Sequence, residues 1–439
     1  MLKLIQILTS ILCVVLLNSC GSGVCPIRSN CRIGSGGGVQ WVAPSGSIDT
    51  SFGTSGVAST DFFATNDTLQ AIALQPDGKV VVTGYTTNGA NPHLAIARFS
   101  SSGIVDTTFG TSGRVFQTYN FNGDYGQSVM IQPDSKIMIA GETFNGAGTY
   151  NLTSRFTSAG VMDTTYGTAG YFQDTLALAA LGSNATLLSN NDIIATYLYA
   201  PVSMDFSLIK ILASGALDTT FGTGGYVSTD FNGFSDFSYW ITTDASGKIL
   251  VAGKPFNFSQ DFGITRYTST GVLDTTFGTA GKTIVDFAGL NDSANSILVQ
   301  SDGKIILVGE AQNGGHNNFA LLRLTSAGVT DTTFGAAGFV IAAFTGNNDR
   351  AAAAALQPDG KIIAVGTANV AGTDYFAIAR YKTDGNIDTS FGTSGLITTH
   401  IGAGNNSVTS VALQPDGKIL VGGYANVSGT QDFVVLRIK

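Results

Sequence analysis

A chain of 439 residues with a formal net charge of −8 and only 12% charged residues carries no basic patch able to hold a polyphosphate backbone, which excludes nucleic acid as a partner. Its 56 glycines and 44% apolar residues fit tightly turning, largely buried β-structure and exclude a disordered chain. Only three histidines (His93, His316, His400) are present, at non-equivalent places, and neither GxSxG nor HExxH occurs.

Taken in chain order, residues 1–19 read as a signal peptide, with Lys3 ahead of an apolar run from Leu4 to Leu17. Leu17-Asn18-Ser19-Cys20 resembles a bacterial lipobox, so Cys20 is the expected site of lipidation. The expectation is an exported lipoprotein of the outer membrane or cell surface, touching membrane through that anchor alone. Cys13 leaves with the signal, so Cys25 and Cys31 remain as an even pair in an oxidising compartment. A local disulfide and two free thiols are both compatible with their spacing. Residues 20–48 are expected to form a tether, flexible at Ser35–Gly38, with Val39–Val42 (VQWV) in a slot suited to a displaced strand.

From residue 49 onward the chain repeats itself. The motif DTSFG or DTTFG places its aspartate at Asp49, Asp106, Asp163, Asp218, Asp274, Asp331 and Asp388, at intervals of 55 to 57 residues. A PDGK-type turn keeps the same beat at Lys79, Lys136, Lys248, Lys304, Lys361 and Lys418, with Asp192 in that slot of the third copy. A basic residue closes an apolar run at Arg98, Arg155, Lys210, Arg266, Arg323, Arg380 and Arg437. A fixed period in this range points to a solenoid, propeller or array, and the content of one period decides which.

In the first unit, Leu69–Gln75 stops at Pro-Asp-Gly, a hairpin signal, and Lys79–Tyr85 returns as a second strand. Leu94–Phe99 forms a third strand, and a Gly-rich connection through Asp106 and Phe109 leads to a fourth around Gly113–Phe121. No segment shows a 3.6-residue period. The second and third strands are apolar on both faces, so each small sheet must be covered on both sides by its neighbours. The fold class is therefore all-β: a seven-bladed β-propeller of four-stranded blades over residues 49–439. Gly56–Phe62 reads as a fourth-type strand and Phe433–Ile438 as a third-type strand, so the N-terminal strand is expected to complete the last blade and close the ring.

The sequence QPDGKI, an apolar strand ending in Arg, and then DxTFGxxG resembles the delta-60 repeat, a bacterial propeller repeat family of unknown function, from about Gly46 to Lys439. The resemblance implies the fold and no activity.

Residues recurring in every copy serve the scaffold. The Asp and Arg of each unit are suited to pairing or turn capping, and the motif aromatic (Phe52, Phe109, Tyr166, Phe221, Phe277, Phe334, Phe391) to packing between blades. Asp67, Asp124, Asp236, Asp292 and Asp349 (Asn406 in the seventh) suit turn capping at the start of the first strand, with Ca²⁺ as the alternative use. No metal or other cofactor is expected.

Variation concentrates in the loops between second and third strands, and aromatics gather there in copies two to four. Trp240, Tyr239, Phe256, Phe258, Tyr197, Tyr199, Phe144 and Tyr150 are therefore the candidate ligand-binding residues. Trp240 stands where other copies carry Ala71, Ser128, Ser296, Ala353 and Ser410, and filling the space beside the degenerate third copy is its alternative role. The expected function is a noncatalytic binding or scaffolding module for a protein or glycan. The alternative is an extracellular hydrolase or lyase with a carboxylate or metal site at the propeller channel.

Overall fold

Val80, Val81 and Val82 are all fully buried although successive strand side chains point to opposite faces. Val80 and Val82 pack with Leu420 and Val435 of the preceding blade, whereas Val81 packs with Ile137 and Ile139 of the following one. Each fully buried valine of this kind contributes about 1.5–3 kcal/mol, so neighbouring sheets stabilise one another. A computed structural model describes residues 41–439 except 121, 177–183, 200–203, 288 and 345–347. The signal segment, Cys20, Cys25, Cys31 and most of the tether lie outside the described residues.

Seven four-stranded antiparallel sheets form the ring. Their innermost strands are Asp67–Leu74, Asp124–Ile131, Ala185–Leu187, Phe237–Thr243, Asp292–Val299, Asp349–Leu356 and Ala403–Leu413. The PDGK turn following each is closed by two backbone bonds, as between Gln75 and Lys79 (2.9 Å) and between Gly78 and Gln75 (2.9 Å). Gly78 takes φ 82°, and the same place is held by Ser135 at 66° in blade two and by Asn191 at 67° in blade three. Glycine adopts that conformation most freely, and Asn tolerates it better than Ser.

The fourth strands are shorter than their sequence suggests. That of blade one spans Arg114–Gln117 rather than reaching 121, because the Tyr119 N–H turns away to the Asp124 carboxylate at 2.8 Å. The closing strand, Val57–Thr60, ends for the same reason: the Phe62 N–H donates to Asp67 at 2.9 Å.

Closure follows the expected topology, with Val57–Thr60 paired antiparallel to Leu436–Phe433 in blade seven. More of the N-terminal segment takes part than the boundary at 49 implies. The Pro44 carbonyl accepts a bond from Arg380 (2.6 Å), the Ser45 carbonyl accepts one from the Gly392 N–H (3.1 Å), and Gly46 donates to Lys439 (2.8 Å). Pro44 and Ser45 thus do for blade six what Ser101 and Ser102 do for blade seven. Trp41 and Val42 form no strand, and the Val42 N–H donates to Asp416 in the last PDGK turn at 3.1 Å.

Candidate functional site

Two sets of side chains are built by the repeat, one on the face of the PDGK turns and one around the axis. On the turn face, Arg323 Nε lies 2.9 Å from Asp331 and its Nη1 donates to the Thr383 carbonyl of the next blade at 2.7 Å. The guanidinium sits 4.6 Å from the centre of the buried Phe334 ring, and Lys304 reaches Asp331 at 3.1 Å. Equivalent Arg contacts to the motif aromatic and to a neighbouring carbonyl recur at Arg98, Arg155, Arg266, Arg380 and Arg437. Burial works to raise Asp163, but the Thr165 hydroxyl and N–H, with Arg155 and Lys136, hold it at about 2. Blade three rewires the network: Lys210 bridges Asp218 (2.8 Å) and Asp192 (3.2 Å).

At the axis, six inner strands carry a bulge, seen as register breaks at 69/71, 126/128, 238/240, 294/296, 351/353 and 408/410. A bulge leaves one residue outside the ladder and re-aims its side chain. Those residues are Gln70, Gln127, Tyr239, Asn295, Ala352 and Thr409, and with Asn184, Trp240 and Val408 they line an axial cavity of about 310 Å³.

Some of them also tie adjacent blades. Asn295 donates to the Ala351 carbonyl at 2.8 Å and Thr409 to the Leu69 carbonyl at 3.0 Å. In the next slot along, Ser128, Asn184 and Ser410 accept the N–H of Ala185, Ile241 and Ile72 at 3.1, 3.5 and 3.3 Å. Trp240 occupies that slot in blade four and offers no acceptor. Its half-buried indole instead packs on the cluster between blades four and five and on the cluster between blades six and seven, so it bridges the axis.

The other expected ligand residues divide. Phe256 belongs to a small ribbon (Phe256–Asn257 with Ser259–Gln260) in the second loop of blade four, 5.4 Å edge-on from the exposed Phe234. Phe258 at its tip is 92% exposed. Phe144 and Tyr150 sit on the blade-two hairpin, the first exposed and the second half-buried. Tyr197 is a correction: its ring is buried in the core against Tyr226, with no face left for a ligand. The Tyr199 side chain lies outside the described residues.

Sequence reasoning missed Gln70, Gln127, Asn184, Asn295 and Thr409. It also missed the Tyr85–Tyr125 edge contact (5.0 Å) that joins blades one and two. For Gln70, Gln127, Asn295 and Thr409, though not for Asn184, a mostly polar column one place before the small-residue slot was the available signal.

Three groups of aspartates offer carboxylate oxygens within 4.8 Å of one another: Asp61, Asp67 and Asp432; Asp205, Asp230 and Asp236; Asp261, Asp286 and Asp292. They occupy the same place at three blade junctions and are described residues that could hold a cation. They also cap loop N–H groups: Asp61 accepts from Ala64 (2.7 Å), and Asp236 and Asp292 from Phe231 and Phe287 (2.8 Å each). Burial, with smaller repulsion from neighbouring carboxylates, pushes Asp67, Asp236 and Asp292 up to about 6. The histidines serve loops: His93 meets the Thr118 hydroxyl at 3.0 Å and His400 the Gly404 carbonyl at 2.7 Å.

Six segments (75–109, 132–166, 245–277, 300–334, 357–391 and 414–439) match the model of a β-propeller domain of unknown function, DUF5122. Each begins at the PDGK turn, and residues 167–244, including the inner strand and turn of blade three, are skipped. The chain is thus a β-propeller repeat protein. No curated protein matches it. Among solved structures it resembles a catalytically inactive virginiamycin B lyase from Staphylococcus aureus with quinupristin, at 13% identity and a TM-score of 0.52, covering 87% of this chain and 98% of that one. It also resembles an ulvan lyase of a polysaccharide lyase family, at 13% identity and a TM-score of 0.50, covering 86% and 95%. At such identity the likeness is one of fold alone.

Proposed function

We propose that this propeller is a noncatalytic binding module of the cell envelope, anchored through a lipid on Cys20, and that its protein or glycan ligand seats at the axial cavity. The observation that carries the reading is the convergence of Tyr239, Trp240 and amide side chains from different blades on one concave site. The exposed Phe234 and Phe258, with the half-buried Phe256, lie on the loop face and suit a ligand approaching from that side. Val42 leaves the ring beside the last PDGK turn, so a tether to Cys20 directs the turn face to the membrane and the loops outward.

A hydrolase or lyase in the same cavity would need an acid or base there. Among the described residues, the lining offers no carboxylate or imidazole, and Tyr239 is its one titratable side chain.

Two variants test the proposal. Trp240→Ala is expected to weaken binding of ligands found on glycan and peptide arrays by about 2 kcal/mol, the range of aromatic hot spots, while the β-sheet spectrum is kept. A large loss of thermal stability with no selective loss of binding assigns Trp240 to the core and removes the site. Cys20→Ala is expected to move the protein from the membrane to the soluble fraction, and unchanged partitioning counts against the anchor.

A further inference from the structure

We propose that the axial cavity recognises an uncharged sugar unit of a glycan; this rests on the binding reading above and narrows it to one ligand class. Among the described residues, no side chain lining the cavity is charged at neutral pH. A uronate, a phosphate or a peptide terminus would surrender its hydration there with no opposite charge among the lining side chains, which is costly; Lys254, whose Nζ lies 5.5 Å from the centre of the Tyr239 ring, stands outside that lining.

The two sides of the cavity differ. Tyr239 and Trp240 come from blade four, and the indole is held by packing on cores at two separated blade junctions, so its plane is fixed before any ligand arrives. Across the ring, blades one and two present Gln70 and Gln127. Asn295 and Thr409 are committed to neighbouring carbonyls, whereas among the described residues no side-chain bond engages the half-buried Gln70 amide.

A carboxamide donates and accepts at adjacent atoms, as do neighbouring hydroxyls on a sugar ring. The opposite, C–H-bearing face of such a ring is apolar enough to lie on an indole. A cavity of about 310 Å³ stands at the small end of ligand sites, which favours one ring over a stretch of peptide with its side chains.

The test uses the full-length protein on an array of neutral and uronate-containing oligosaccharides, beside a displayed peptide library. Gln70→Leu and Trp240→Ala are compared with the parent, and melting temperature is read for each. The expected result is neutral-oligosaccharide binding weakened about tenfold or more by both variants, as loss of one hydrogen-bonded or stacked contact implies, with the melting temperature of Gln70→Leu unchanged. If cavity-dependent hits are only acidic oligosaccharides or only peptides, the sugar assignment falls and the binding reading stands. If no probe binds, or if binding is indifferent to both variants, both fall.

Discussion

The turn face and the axis of this ring are made by the same repeat, yet one is nearly uniform and the other is not. On the turn face each Arg has three partners at once: its own Asp, its own aromatic ring and a carbonyl of the next blade. A change at any of them leaves a buried charge or an orphaned acceptor, so the side chains hardly vary. Around the axis the bulged slot holds Gln, Tyr, Asn, Ala and Thr, because the ladder closes beside the extra residue whatever its side chain. The ring is held together at its rim, which leaves its centre open to chemical change.

The comparison is broken most severely by deleting residues 57–60. This strips blade seven of its outer strand and exposes the edge of Gln431–Ile438, so cooperative melting should be lost and soluble aggregates should appear in size-exclusion chromatography. A monomer with an unchanged melting curve would show that closure does not depend on this strand.

Smaller but still large is Arg323→Ala, expected to cost about 3 kcal/mol in denaturant unfolding because a buried ion pair loses one partner. Lys210→Ala in blade three should cost at least as much, since two buried carboxylates there lose their shared cation, whereas Asp331 keeps Lys304. A clearly smaller loss in blade three would contradict the rim account.

The finest test concerns pH. Asp67 rises to about 6 on folding, so between roughly pH 4 and 6 the native state holds more protons than the unfolded chain. Its contribution is fully present below about pH 4 and is lost as pH rises through 6. Asn406 fills the same slot in blade seven, accepting the Ile401 N–H at 2.8 Å and donating to its carbonyl at 2.9 Å. Asp67→Asn should therefore be more stable than the parent at pH 7 by about 1–3 kcal/mol and equal to it below pH 4. A less stable variant at pH 7 would mean that the carboxylate is held charged, as a bound cation would require.

Blade number, strand order and the closing strand were legible in the sequence because each depends on residues that recur, and repetition separates signal from chance. The rim network was legible for the same reason. The cavity was not: a bulge shifts a strand by one residue, and periodicity cannot reveal which residue is displaced. Thus Trp240 was noticed against its small counterparts, while Gln70 and Gln127 read as ordinary polar positions of half-exposed strands. Tyr197 misled because an aromatic near a loop and one pointing into the core look alike until the register with Ser207 is known. The aspartate groups were half legible. Capping by Asp67, Asp236 and Asp292 follows from their recurrence, whereas the meeting of three separate chain segments at each group does not.

The backbone contacts of Lys439 with Gly46 and Ser47 join the first and last residues of the ring in a seam within blade seven. A ring with such a seam has no privileged starting point. A circularly permuted gene that joins residue 439 to residue 44 through a short linker, and opens the exposed hairpin at Gly314–Gly315, encodes the same blades in a different order. The covalent path through this protein is therefore one of several that lead to a single architecture.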